Sequence, residues 1–227
     1  MKIKSLVILT AALCAVSVAT AETVTNVALY TQERANTFGG DSGIQSKINT
    51  EYGYTKSCYD TWSQTGVYFS LLAKAKTAYT GSGRSDGGKL TDLRNNVNGM
   101  LNFRNSKNSD TITLFITLTG CGIADLPGYR SLVECFDKTT WAHEVGHNFG
   151  TGHGDGDAGD VSYARGKNFY ANSRTYVTIM GESYISGTPC NRFSGKSLLY
   201  YSVPTGDSYH DNVRRIKETK AAMAAKK

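Results

Sequence analysis

Residues 143–153 read HEVGHNFGTGH and hold three of the chain's four histidines. On a helix, a four-residue spacing places His143 and His147 on one face, one turn apart, so two ring nitrogens can reach a single ion. Glu144 is turned about a quarter of a revolution from His143, which sets its carboxylate beside such an ion without binding it. Gly150 can take the positive φ that stops a helix and reverses the chain, bringing His153 back from a loop. Three neutral imidazoles leave a fourth position open on zinc, which separates a catalytic site from a closed structural one. The chemistry this pattern suits is hydrolysis. Zinc draws the pKa of a water towards neutrality and polarises a carbonyl, while Glu144 takes the water's proton and hands it to the leaving amine. No serine or cysteine nucleophile is needed. A lone helical histidine is usually structural, and H-E-x-x-H alone arises by chance. The glycine and third histidine at fixed offsets, in a chain with only His210 elsewhere, carry the reading.

The elements that must position these residues follow from periodicity. Asp137 or Thr139 can cap a helix running through residues 139–149. Upstream, residues 23–31 (TVTNVALYT) have the content of a first strand. Ile44, Ile48, Tyr52, Tyr59 and Trp62 fall mostly on one face of a long helix, with Gly53 as a weak point. Residues 67–79 read as a strand and residues 81–88 (GSGRSDGG) as a flexible loop. Leu90, Leu93, Val97 and Leu101 mark a second amphipathic helix, and residues 111–120 (TITLFITLTG) a strand buried on both faces. That alternation predicts an α+β fold with a twisted mixed sheet flanked by helices. After Gly150 the chain turns rich in Gly, Asp, Ser and Tyr until Val213, Ile216, Lys220 and Met223 announce a short closing helix. We therefore expect one catalytic domain over residues 22–227, with an ordered lobe at 22–150 and an irregular lobe at 151–227 whose thin core a disulfide through Cys190 helps to hold.

Lys2 and Lys4, an apolar run over residues 6–18 and the Ala19-Thr20-Ala21 triplet make residues 1–21 a signal peptide, too short to span a bilayer. Leu13 before Cys14 disfavours lipidation. Export implies a secreted protein, extracellular or periplasmic, free of the membrane after cleavage. Without Lys2 and Lys4 the formal charge falls from +6 to +4, a mild excess with no Lys/Arg run of the kind that binds nucleic acid. In an oxidising compartment the remaining four cysteines, Cys58, Cys121, Cys135 and Cys190, read as two disulfides with three possible pairings. The close C-x-x-C pairs of a thiolate zinc site do not occur. Asp155, Asp157 and Asp160 are spaced to offer oxygen ligands to calcium, although a Gly/Asp run also suits a solvated turn.

At the histidine motif the chain resembles the metzincins, zinc endopeptidases marked by H-E-x-x-H-x-x-G-x-x-H and a later methionine turn. The matching methionine is Met180 in TIMGE, twenty-seven residues past His153. The resemblance implies that it lies beneath the three histidines as an apolar floor. Within that group the chain is most similar to the reprolysin-like enzymes, and especially to bacterial peptidyl-Asp metalloendopeptidases. That similarity spans VALYTQERA, CGIADL, WAHEVGHNFG, TIMG, YYSVP and DNVRRIKETKAAMAA. It implies cleavage on the amino side of Asp. Two positions depart from the wider pattern. Gly154 stands where many reprolysins have Asp, and Glu182 stands where astacin-like enzymes have a zinc-binding tyrosine, with Tyr184 nearby as a substitute.

Three functions compete on these residues. The first is a monomeric, secreted zinc endopeptidase acting on proteins or peptides. The second is a non-catalytic secreted binding protein that keeps the fold, against which Glu144 argues because binding needs no carboxylate there. The third is a zinc amidase for non-protein amides, separable by the length of its substrate cleft.

Overall fold

Every second residue of the first strand, β1 (Glu22–Tyr30), faces the same layer, and both layers are apolar. Val24, Ala28 and Tyr30 point to one side, Val27 and Leu29 to the other, and all are buried. The computed structural model that shows this describes residues 20–154, 159–181 and 187–226. Most of the expected signal segment, and Asp155, Asp157, Glu182 and Tyr184, lie outside those ranges.

β1 is flanked by parallel partners, β2 (Val67–Lys76) and β3 (Thr111–Phe115). β5 (Arg130–Val133) adds to β3 in parallel, and β4 (Gly122–Ala124) closes the sheet antiparallel to β5. The order β2-β1-β3-β5-β4 makes a mixed sheet with β4 as an outer strand. One face carries α2 (Asp41–Ser57), α5 (Thr140–Asn148) and α6 (Asn212–Ala224), whose Ile44, Ile48, Trp141, Val145, Val213 and Ile216 pack with Phe69, Phe115 and Val133. The other face carries α3 (Asp86–Arg94) and α4 (Met100–Ser106) over Leu29, Ile112, Leu114 and Leu132. With the short α1 (Gln32–Thr37), the described residues form a mixed α+β fold of six helices around one mixed sheet.

The expected helix through Leu90 and Leu101 is in fact two. Asn96, Asn98 and Gly99 all take left-handed φ, and the Asn96 Oδ1 accepts from the amides of Leu101 and Asn102, so it caps α4 and breaks the run. The loop expected at 81–88 is shortened because Ser85 caps α3 through the Gly88 amide. The long helix expected to reach Trp62 stops at Ser57 and finishes as one wide, π-type turn over Cys58–Trp62. β4 and β5, of three and four residues, had no periodicity to betray them.

Past Gly150 the strands are two to four residues long: β6 (Asn168–Ala171), β7 (Arg174–Val177), β8 (Thr188–Pro189), β9 (Leu199–Tyr200) and β10 (Val203–Pro204). Their own core is small, with Phe169, Ala171, Tyr176 and Cys190 at its centre. Yet Ile179, Met180, Phe193 and Leu198 join Val213, Ile216 and Met223 of α6 in the core beneath the sheet, so one core continues across residue 150.

The cysteine expectation is corrected in part. Cys121 and Cys135 form a disulfide, whereas Cys58 and Cys190 are buried free thiols. Each thiol is packed as a small hydrophobe, Cys58 under the sheet and Cys190 against Phe169 and Tyr176. Burial pushes both thiols up, Cys190 to about 11, so neither is poised as a thiolate.

Candidate metal centre

The helix that carries His143, Glu144 and His147 is locked before the site is formed. Asp137 caps it, its Oδ1 accepting from the amides of Thr139 and Thr140 at 3.0 and 2.8 Å. Inside, Trp141 is fully buried edge-on to Phe69 and Phe115, and its indole N–H donates to the Thr113 hydroxyl at 2.9 Å. That hydroxyl belongs to a buried polar ladder of Asn26, Thr111, Thr113 and Ser131. Tyr59 adds an O–H bond to the Ala142 carbonyl. These bonds fix the rotation of α5 about its axis, and so decide which way its ionisable face looks.

The helix stops as the sequence demands. Gly150 sits at φ 88°, its amide bonds the His147 carbonyl at 2.8 Å, and the Thr151 amide bonds the Gly146 carbonyl at 3.2 Å. That pair of bonds is the Schellman closure. The loop then returns, pinned by the Gly152 amide to the Ala164 carbonyl and by the Gly166 amide to the His153 carbonyl.

The result brings the three histidines together. Their ring centroids are 4.7 to 5.0 Å apart, and one nitrogen from each lies within 4.8 Å of the others. The Nε2 atoms of His143 and His153 are 3.0 Å apart. Two imidazole nitrogens at that distance need a proton or a cation between them. The opposite ring nitrogens of two of the histidines are held by carbonyls. The Nδ1 of His143 lies 2.7 Å from the Ile179 carbonyl and that of His147 lies 2.9 Å from the Thr151 carbonyl. A carbonyl can only accept, so both Nδ1 atoms carry the proton and both Nε2 lone pairs face inward. Burial and the neighbouring imidazoles hold His143 down at about 3 and His147 down at about 4, so both rings are neutral at pH 7, as ligands must be. All-nitrogen donors in this number fit zinc.

Met180 is fully buried against the same helix, close enough that a β-carbon on Gly146 would stand 2.8 Å from its sulfur. Glu144 is 4% exposed, its Oε2 has no hydrogen-bond partner, and burial with help from Asp137 holds its carboxyl up at about 8. It shares a cleft of about 710 Å³ with the three histidines. β4 forms one wall through Gly122, Ile123 and Ala124, and Val177, Thr178 and Pro189 form part of the other. The remaining acid in that lining is Asp137, and among the described residues no Lys or Arg lines the cleft. Asp160, offered above as a calcium ligand, pairs with Arg215 of α6.

Sequence reasoning named the three histidines, the turn glycine and the carboxylate that the fold brings together, and missed the carbonyls of Ile179 and Thr151 that orient two of the rings. A carbonyl has no side-chain signature, so only the fold reveals it.

No known family pattern matches the chain, and no curated protein matches its sequence. Among solved structures, one described as the structure of a chaperone-substrate complex superposes with a TM-score of 0.73 at 18% identity, over 90% of this chain and 35% of that one. At that identity the likeness is one of fold, and the chain spans about a third of the matched chain's length.

Proposed function

We propose that the chain is a secreted zinc endopeptidase of the metzincin kind. The observation that carries this reading is the convergence of three inward-facing imidazole nitrogens beside a buried carboxylate with an unpartnered oxygen. His143, His147 and His153 would hold the zinc ion, which when bound would acidify a water and polarise a carbonyl. Glu144 Oε2 takes the proton of the attacking water and delivers it to the leaving nitrogen. His143 and His147 stay oriented throughout by the carbonyls of Ile179 and Thr151.

The cleft supports a peptide over a small amide. β4 bonds only to β5 within the sheet, so its outer edge offers unpaired main-chain groups along the wall, and an extended substrate can add to it as another strand. Preference for Asp, which the resemblance implies, finds no cationic side chain among the described residues of the lining. The disulfide agrees with an oxidising compartment, and among the described residues no helix is long and apolar enough to cross a membrane.

The test is Glu144→Gln. The variant should retain one zinc per chain by elemental analysis while its hydrolysis of casein falls about 10²- to 10⁴-fold. Undiminished hydrolysis would sink the mechanism, and an absence of zinc in the parent would sink the metal centre.

A further inference from the structure

Gly122 opens β4, and its backbone gives no reason for a glycine. Its φ lies outside the left-handed region, and its pairing with Val133 is ordinary for a strand. Space does give a reason. A β-carbon at 122 would stand 2.4 Å from Glu144 Oε1 and 2.6 Å from its Cδ and Cγ. Ordinary contact begins near 3.4 Å, so one added methyl would force the carboxylate aside by about 1 Å.

Which partner would yield is set by how each is held. The strand is clamped on its inner side by β5, the Cys121–Cys135 disulfide lies next to Gly122, and the amides of Glu134 and Cys135 both donate to the Cys121 carbonyl. The Glu144 side chain has rotatable bonds and no hydrogen bond at Oε2. The side chain therefore moves and the strand stays. Its native placement is a matter of contact with a bare backbone, not of a tether.

We propose that Gly122 is a positioning residue: the absence of a side chain there fixes where the Glu144 carboxylate sits relative to the three histidines. This rests on the hydrolase reading for its catalytic consequence, though not for the contact itself. The three atoms nearest a β-carbon at 122 all belong to Glu144, so that carboxylate is the first group an added methyl displaces.

The experiment uses the full exported protein in four forms: parent, Gly122→Ala, Glu144→Ala and the double variant. Gly122→Ala should keep one zinc per chain and lose about 10²-fold in kcat on a peptide substrate, with KM changed far less. Its Tm should drop by at least about 2 °C in the parent and by nothing measurable in Glu144→Ala, where the clashing atoms are gone. A Gly122→Ala enzyme as fast as the parent, or an equal Tm penalty in both backgrounds, overturns the proposal. If the zinc-loaded parent hydrolyses no peptide, the hydrolase reading fails, and the Tm coupling alone still decides whether Gly122 sets the carboxylate.

Discussion

His143 and His147 ride on a nine-residue helix sealed between the sheet and its neighbouring helices, whereas His153 sits on a loop whose main-chain bonds run to Ala164 and Gly166. The first pair is placed by burial: Trp141, Val145 and Phe149 cannot leave the core without exposing large apolar surface. The third histidine is placed by a Schellman turn and a few main-chain bonds over a region whose strands are two to four residues long. One half of the site is thus preorganised by the fold, while the other is completed by short-range geometry and, on the proposed zinc reading, by the ion. A metal bound across such a boundary stabilises the weaker half most, because that half has the least of its own to rely on.

Stripping the metal should therefore have the largest effect, and it should be lopsided. By hydrogen exchange, amides of residues 151–154 and 159–181 should lose protection on chelation by 10-fold or more, at the order of magnitude expected when a local opening free energy falls by more than about 1.4 kcal/mol. Amides of β1, β3 and β5 should keep theirs. Uniform loss across both regions would mean that the sheet and the loop are one cooperative unit, and the comparison would break.

Met180 tests the seam between the two regions. It comes from the irregular part of the chain, yet it is fully buried in the main core with its sulfur against α5 at Gly146. Met180→Ala should cost about 2–5 kcal/mol in denaturant unfolding, as for other buried large-to-small changes. A cost below about 1 kcal/mol would show that the loop collapses into the space and that the seam is soft.

The same contrast explains what the sequence disclosed. Residues 22–150 were largely legible because long apolar periods write themselves into the sequence: Ile44 and Ile48 lie on α2 as the pattern put them, and the apolar run read as a strand over 111–120 does begin β3 at Thr111, although the strand ends at Phe115. Legibility failed wherever local chemistry overrode period. Asn96 and Asn98 took left-handed turns in mid-helix, and β4 was too short to show alternation. The histidines and Glu144 were readable because their chemistry depends on side-chain type and spacing. Gly122, Ile179 and Thr151 were not, since one contributes an absent side chain and the others a carbonyl. Residues 151–226 disclosed the closing helix, through Val213, Ile216, Lys220 and Met223, all buried on α6, and little else.

The cysteines sharpen the comparison at a smaller scale. The one disulfide lies in the ordered region, beside the cleft wall, and none ties down the irregular one among the described residues. The double change Cys121→Ser/Cys135→Ser opens a loop with a sequence separation of 14 and should cost about 3 kcal/mol on the chain-entropy account. Alkylation of the unfolded, unreduced protein should label Cys58 and Cys190, and two further sites only after reduction. A parent with no alkylatable thiol before reduction would show that the irregular region is stapled after all.

The smallest expected effect concerns Asp160, where the irregular region meets α6. Its carboxylate pairs with Arg215, both side chains are about four-fifths buried, and its amide donates to the Gly150 carbonyl behind the helix stop. A β-carbon on Gly150 would also strike that carboxylate at 2.5 Å, so Asp160 packs against the very turn that aims the chain at His153. Asp160→Asn keeps the shape and removes the charge. An ion pair at this depth, still in contact with solvent, should cost about 1 kcal/mol, read as a shift of roughly 2–4 °C in Tm that shrinks at high salt. Added calcium separates the two roles this residue can have. If Asp160 serves the arginine, calcium shifts the parent and the variant alike. A calcium-dependent rise in Tm seen in the parent and lost in Asp160→Asn would instead assign it to a cation site, and the second region would then owe its order to an ion of its own.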